Sequence, residues 1–323
     1  MKAIVQTGYG SPDVLELGEI DKPAVEDDGV LVRVHATSIH AGDYFTMRGQ
    51  PFAVRLAFGL SRPRGNYVPG YDVAGRVEAV GKSVTRLQPG DEVFGACEGG
   101  CAEYVSTAED NLVLKPANLT FEQAAPIATS ASAALHGLRD AGQVRSGQKV
   151  LINGASGGVG TFAVQIAKSY GAEVTGVCST RNVDLVRSIG ADHVIDYTQE
   201  DFTQGGPRYD LILDNVANHS LSDCRRALTP NGLLVPNSGH SGLSYVIKGY
   251  LSSVFVRQQG RPYLSTPNLE DLTVLKDLVE AGKVTPVIDK AYPLDQLPEA
   301  MAYVGEGHAR GKVVITVAGE SET

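Results

Sequence analysis

The 323-residue chain has no apolar run of the ~18–20 residues that a membrane-spanning helix needs, so no such span is expected. It has only four cysteines, Cys97, Cys101, Cys178 and Cys224, too few for a disulfide framework. It has no basic excess: 28 Lys and Arg stand against 37 Asp and Glu, a formal net charge of −9. That balance argues against a general role on nucleic acid or a membrane surface. No internal repeat and no low-complexity tract is visible. The start, Met1-Lys2-Ala3-Ile4-Val5, reads directly as a strand, without the layout of a signal peptide. A cytoplasmic globular protein is therefore expected, long enough for two domains with full cores.

What the chain does have is concentrated in residues 149–178. The apolar run Lys149-Val150-Leu151-Ile152-Asn153 ends at Gly154-Ala155-Ser156-Gly157-Gly158-Val159-Gly160. A helix pattern follows, with Phe162, Val164, Ile166 and Ala167 at helical spacing, and then a second apolar run to Cys178. Strand, glycine-rich turn, helix and strand make a dinucleotide-binding unit. Gly157 lets a backbone approach a pyrophosphate, and Gly160 lets the helix pack tightly on the strand. The helix N-terminus offers unpaired N–H groups and the positive end of its dipole. Ala155 stands where the common fingerprint has its first glycine. Gly154 to Gly160 is thus the candidate phosphate cradle; a plain tight turn is the bland alternative.

The end of the second strand bears on which nucleotide is bound. NAD-binding units usually place Asp or Glu there, on the ribose 2′-hydroxyl. Here Cys178 takes that position, and no carboxylate follows in sequence before Asp184. Ser179 and Thr180 offer hydroxyls and Arg181 a planar cationic fork, which suit a 2′-phosphate. The expected cofactor is NADPH. One or two charge-assisted hydrogen bonds of roughly 1.5–3 kcal/mol would favour it tenfold to several hundredfold. Alternatively, Ser179 is a helix cap and Arg181 a solvated charge.

Around this unit the pattern changes twice. Residues 1 to about 120 read as short strands with Gly/Pro turns, at 14–17, 30–37, 73–80, 92–94 and 102–105, which suggests a β-rich, barrel-like module. Residues 122–266 alternate strand and helix, with strands at 150–153, 174–178, 193–195, 211–214 and 233–236, which implies a parallel doubly wound sheet. A helix pattern at 269–281, a short helix near 298–304 and a strand at 312–317 close the chain.

Several motifs together resemble the medium-chain dehydrogenase/reductase superfamily, and within it the quinone oxidoreductase branch. They are His40-Ala41-Gly42-Asp43, Pro69-Gly70-Tyr71-Asp72-Val73-Ala74-Gly75, Pro89-Gly90-Asp91-Glu92-Val93, the 154–160 turn, Ser188-Ile189-Gly190-Ala191-Asp192 and Gly311-Lys312-Val313-Val314. The resemblance covers essentially the whole chain. It implies an α/β protein with a GroES-like β-rich catalytic domain at 1–121 and 267–323, enclosing a Rossmann NADP-binding domain at 122–266.

Zinc alcohol dehydrogenases of this superfamily hold a catalytic zinc at places that correspond here to His40, Tyr71 and roughly Ile127, with Asp72 alongside. Only His40 binds metal readily, and a catalytic zinc needs about three protein ligands. Cys97 and Cys101 form a lone pair without the partners of a structural zinc lobe. No metal is expected. Without a Lewis acid to activate an alcohol, the resemblance points to hydride transfer from NADPH to a quinone or an α,β-unsaturated carbonyl. The rivals are a zinc-type alcohol or aldehyde dehydrogenase and an NADPH-binding protein with a structural or regulatory role.

The remaining candidates are weighed the same way. His40 reads as a donor to the nicotinamide ribose or the substrate oxygen, or as a packed loop histidine. Tyr44, in a turn after Asp43, could polarise the acceptor carbonyl or line the site. Tyr71 faces the same space, more as lining than as catalyst. Asp43 and Asp72 read as braces. Tyr197 resembles a tyrosine near the adenosine phosphate. Asn215, Val216, Asn237 and Ser238 end parallel strands, where ligands bind. Thr129 and Lys312 either reach the cofactor or serve as a cap and a solvated charge. Segments 51–64 and 245–256 are apolar additions without an assigned role. The expected partner is a small-molecule acceptor, with no nucleic acid and no stable membrane insertion; a homodimer follows only from analogy with the superfamily.

Overall fold

The computed structural model of the chain describes residues 1–237, 261 and 263–317. The N-terminal part holds β1 (Lys2–Gln6), β2 (Leu15–Glu19), β3 (Gly29–Ile39), helices α1 (Ala41–Arg48) and α2 (Ala53–Phe58), then β4 (Asp72–Val80), β5 (Glu92–Ala96), β6 (Tyr104–Ala108) and β7 (Leu112–Leu114). Helices α3 (Phe121–Ala124) and α4 (Ile127–Leu135) lead to β8 (Lys149–Asn153), α5 (Gly158–Ser169), β9 (Glu173–Cys178), α6 (Val183–Ser188), β10 (His193–Asp196), β11 (Tyr209–Asp214), α7 (Leu221–Ala227) and β12 (Leu228–Pro236). The chain closes through α8 (Leu269–Glu280), β13 (Ile288–Pro293), α9 (Leu297–Gly305) and β14 (Lys312–Thr316). Two compact units result. One is Met1–Ser130 with Pro267–Glu280 and Pro286–Thr323; the other is Ala131–Thr266 with Ala281–Thr285.

The first unit is organised by β3. Nine of its eleven residues are buried, Val30, Val32, Val34 and Ile39 among them, and only Arg33 and His35 are half-buried. It sits mid-sheet in the order β13-β14-β3-β4-β5-β7, and β6 pairs with it as well. Its register against β4 slips twice, at Leu31/Val32 and Val34/Ala36. Such bulges bend a strand and let a sheet curl toward a barrel. Gly75 permits this: a Cβ there would lie 2.1 Å from the Arg33 carbonyl oxygen. The short pair β1-β2 forms a separate sheet.

The second unit is a five-stranded parallel sheet in the order β10-β9-β8-β11-β12. The central strands are covered on both faces and read as continuous apolar runs, Val150-Leu151-Ile152 and Leu211-Ile212-Leu213. Helix α5 packs beside β8 with Phe162, Ala163, Val164, Ile166 and Ala167 buried. The order in space reverses between β8 and β11, whose last paired residues are Asn153 and Asp214. In a doubly wound sheet that reversal opens the ligand crevice beyond the carboxyl ends of the strands. Among the described residues no helix is long and apolar enough to cross a membrane.

Candidate active site

The phosphate turn is a backbone device. Gly154 has φ +77°, in the left-handed region, where a side chain is strained. A Cβ on Gly160 would lie 2.0 Å from the Gly154 carbonyl oxygen, so the helix can come this close to the strand only as glycine. Gly157 differs. A Cβ there would meet only the Gly154 carbonyl oxygen, at 3.5 Å, which leaves open space in front of it. Gly157 is the N-cap of α5, and the N–H groups of the first turn have no helical carbonyl to bond. A cradle that a side chain would fill, ringed by orphan donors, fits a pyrophosphate. Ala155 is buried, with its N–H on the Val177 carbonyl, so the absence of the first glycine costs the turn nothing.

Side chains at the strand ends join this turn to its surroundings. Asn153 donates to Asp214 and to Asn218, both at 2.8 Å. Asp214 accepts from the backbone N–H of Val216 and Ala217, and Asn215 donates to the Asn153 carbonyl. Asn237 donates to Asn215 at 2.9 Å. Asn215, Val216 and Asn237 are thus gathered at the topological reversal. Ser238 and segment 245–256 lie outside the described residues.

At the end of β9, one residue was missed by sequence reasoning. Asn182 donates to Ser156 of the turn at 3.0 Å and to Ser179 at 3.3 Å, and so ties the two together. Its identity as an ordinary helix-start residue gave no signal. A second finding corrects the expectation that no carboxylate lies near this strand end. Asp196, on the neighbouring strand β10, pairs in register with Cys178 and accepts from the Thr180 hydroxyl at 2.6 Å. That hydrogen bond, with others from Thr198 and Gln199, holds the Asp196 carboxyl below its ordinary value. Proximity here comes from strand pairing, which the spacing along β9 does not reveal. Thr180 is thereby engaged, while Ser179 is half-buried and Arg181 exposed. Tyr197 is 53% exposed, with its N–H on the Cys178 carbonyl. Burial pushes the Cys178 thiol up to about 11.

The first unit carries the other cluster. Residues 41–48 are a helix rather than a turn, and His40 is its cap. The ring Nδ1 accepts from the N–H groups of Gly42 at 3.0 Å and Asp43 at 3.3 Å, while the Asp43 carboxylate accepts from the His40 N–H at 2.8 Å. This is a reciprocal capping box with an imidazole in the place of the usual hydroxyl. Because Nδ1 accepts, the proton of the neutral ring resides on Nε2. That Nε2 is buried and has no hydrogen-bond partner among the described residues. The ring stacks on Tyr71, with centroids 6.1 Å apart. Tyr67 lies beside Tyr71, near enough for each phenol to bear on the ionisation of the other. Burial raises both phenols above their ordinary value, so both are neutral at ordinary pH. Asp43 is buried, its carboxyl pushed up by burial and pulled back by His40. Tyr67 was not singled out from the sequence, although its four-residue spacing from Tyr71 was available.

The Tyr44 side chain, one turn along α1 from His40, has contacts of its own. Its ring lies where a Cβ on Gly305 would come within 2.4 Å, and its hydroxyl meets Arg48 at 3.4 Å. Asp72 is braced from several sides. It accepts from the Thr129 N–H at 2.9 Å and from the Ser38 hydroxyl, and lies 3.5 Å from the Lys312 ammonium. Lys312 donates to Ser130 at 2.9 Å and is only 2% exposed, so the solvated reading of this lysine does not hold. These groups do not fit zinc. The cation beside Asp72 is an ammonium, Tyr71 offers a protonated phenol, and Ile127 is a buried hydrocarbon. The Cys97 thiol is pushed up to about 12 by burial, and a protonated thiol is a poor ligand. Among the described residues no three His, Cys, Asp or Glu side chains gather as a metal would need.

Known proteins place this architecture. A family model described as zinc-binding dehydrogenase matches residues 189–315, and one for the alcohol dehydrogenase GroES-like domain matches residues 26–117. The chain is 35% identical to the 2-methylene-furan-3-one reductase of Solanum lycopersicum, over 98% of this chain and 79% of that protein. It is 34% identical to the chloroplastic NADPH-dependent alkenal/one oxidoreductase of Arabidopsis thaliana, with the same coverage of 98% and 79%. The solved structure of the quinone oxidoreductase from Coxiella burnetii superposes with a TM-score of 0.86 at 30% identity, covering 98% of this chain and 99% of that one. The fold order, the phosphate turn and these relatives agree, and the chain belongs to the medium-chain dehydrogenase/reductase superfamily, in its quinone oxidoreductase branch.

Proposed function

We propose that the chain is an NADPH-dependent oxidoreductase that reduces the conjugated double bond of an α,β-unsaturated carbonyl or a quinone without a metal. The names of its relatives support the acceptor class. The single observation that carries the reading is the buried Nε2 of His40, without a hydrogen-bond partner among the described residues, on a ring stacked against Tyr71.

NADPH, when bound, supplies a hydride. Its pyrophosphate suits the Gly157 cradle, and Ser179 and Arg181 suit its 2′-phosphate, with Asp196 orienting Thr180 rather than a ribose. Asn215, Val216, Asn237 and Tyr197 are proposed to border the nucleotide. On the acceptor, hydride addition at carbon moves an electron pair onto the conjugated oxygen. His40 meets that oxygen with Nε2–H, held in this tautomer by its cap on α1. Tyr71, neutral because burial raises its phenol, meets it with its own hydrogen. Donors fixed before charge develops cost no reorganisation when it does. A proton from solvent completes the reduction. Lys312 and Thr129 brace Asp72 in this scheme, and Tyr44 packs against the fold. The acceptor is assigned to residues 1–121 with 267–323 and the nucleotide to 122–266. Four buried free thiols suit the reducing cytoplasm.

The test is NADPH oxidation with a panel of enones and quinones in the presence of EDTA. Turnover that survives chelation is expected. No oxidation with any acceptor, or activity lost to chelation and restored by zinc, sinks the reading.

A further inference from the structure

One stretch of the chain departs from its overall acidity. From Tyr44 to Tyr71 there are four arginines, Arg48, Arg55, Arg62 and Arg64, and no Asp, Glu or Lys, in a chain of net charge −9. Helix α2 lies in the middle of this stretch and is fixed from beneath. The Arg55 Nε donates to the Gly49 carbonyl at 3.1 Å, and its guanidinium lies 4.9 Å from the centre of the Tyr9 ring. Tyr9 donates to the Gly59 carbonyl at 2.7 Å, Arg64 donates to the Ala57 carbonyl at 3.3 Å, and the Phe58 ring meets Tyr67 edge-on at 5.4 Å.

The outward side is apolar. Phe52, Leu56 and Leu60 recur every four residues and are 63%, 61% and 63% exposed. Ala53 and Ala57 are exposed between them. A surface helix normally turns its charges out and its hydrocarbon in; this one does the reverse, on a platform held in place by backbone hydrogen bonds. Single exposed leucines need no explanation, but a stripe rimmed by polar groups marks an interaction surface.

We propose that this face docks reversibly on an anionic lipid bilayer, with Phe52, Leu56 and Leu60 entering the boundary of headgroups and acyl chains. Charge selects the occupant. The exposed Arg62 and Arg64 flank the stripe and meet lipid phosphate, and basic groups beside an apolar face are what interfacial binding uses. The rest of the chain carries a net excess of acid, so its average charge does not draw it to an anionic surface. A second copy is a poorer occupant, because a two-fold contact through this face sets arginines against arginines.

The experiment is co-sedimentation of the full chain with vesicles of phosphatidylglycerol and phosphatidylcholine, against phosphatidylcholine alone. Binding at least tenfold stronger to the anionic vesicles is expected, and it should weaken with added salt. The variant Phe52→Ser/Leu56→Ser/Leu60→Ser should lose it while keeping its thermal midpoint and its elution volume. Arg62→Ser/Arg64→Ser, changed only at exposed positions, should weaken it severalfold and covers the case in which the triple variant does not fold. No preference for anionic vesicles overturns the proposal. So does a triple variant that binds like the parent, one that changes only self-association, or one that changes only the KM for a soluble acceptor.

Discussion

The turn after β8 and the cluster around His40 are built by opposite means. The turn is seven consecutive residues whose task is set by what they lack: side chains at Gly157 and Gly160, and a negative φ at Gly154. The cluster takes His40 and Asp43 from a helix cap, Tyr67 and Tyr71 from the approach to β4, and its bracing from Asp72, Ser130 and Lys312. Backbone geometry is encoded locally, whereas a set of facing side chains exists only once strands distant in sequence have paired.

The largest effect is expected where the turn is broken. Gly160→Val would place carbon within 2.0 Å of the Gly154 carbonyl oxygen. Nucleotide affinity should fall by at least about ten-thousandfold, roughly 5.5 kcal/mol, in a fluorescence titration. Gly157→Ala sharpens the point: it meets no such obstacle, so it should leave the melting midpoint unchanged and weaken only the nucleotide. Equal effects on both would show that the open space is not the cradle.

Next comes the bracing of the cluster. Lys312→Met leaves Asp72 buried without its cation, which should cost about 3–5 kcal/mol in denaturant unfolding. Lys312→Met/Asp72→Asn should recover most of that loss. If the single variant is as stable as the parent, the ion pair is not a brace.

The smallest effect concerns the donor itself. His40→Ala should lower kcat by about 10²–10³ while barely moving the NADPH KM. His40→Gln, which can still offer an N–H, should keep much of the rate. Equal losses in the two variants would assign His40 to capping alone.

The same contrast explains what could be read from the chain. The phosphate turn and the parallel strands follow from glycine placement and apolar runs, and the structure has them where the sequence indicates. The start of α1 was not legible, because histidine is outside the usual set of capping residues. Asp196 was not legible because it reaches Thr180 from the next strand rather than along its own. Lys312 stayed open between the cofactor and solvent because its neighbours in sequence say nothing of Asp72, which lies on another strand. Tyr67 needed only its spacing from Tyr71, but spacing alone does not show that two phenols come together.

Asn182 carries one more implication. Its single amide grips Ser156 and Ser179 together, so the turn proposed for the pyrophosphate and the strand end proposed for the adenosine 2′-phosphate share a fastener. On that assignment, reprogramming the chain to accept NADH by rewriting residues 179–181 alone would disturb the phosphate turn as well, and a successful redesign has to settle both neighbouring sites at once.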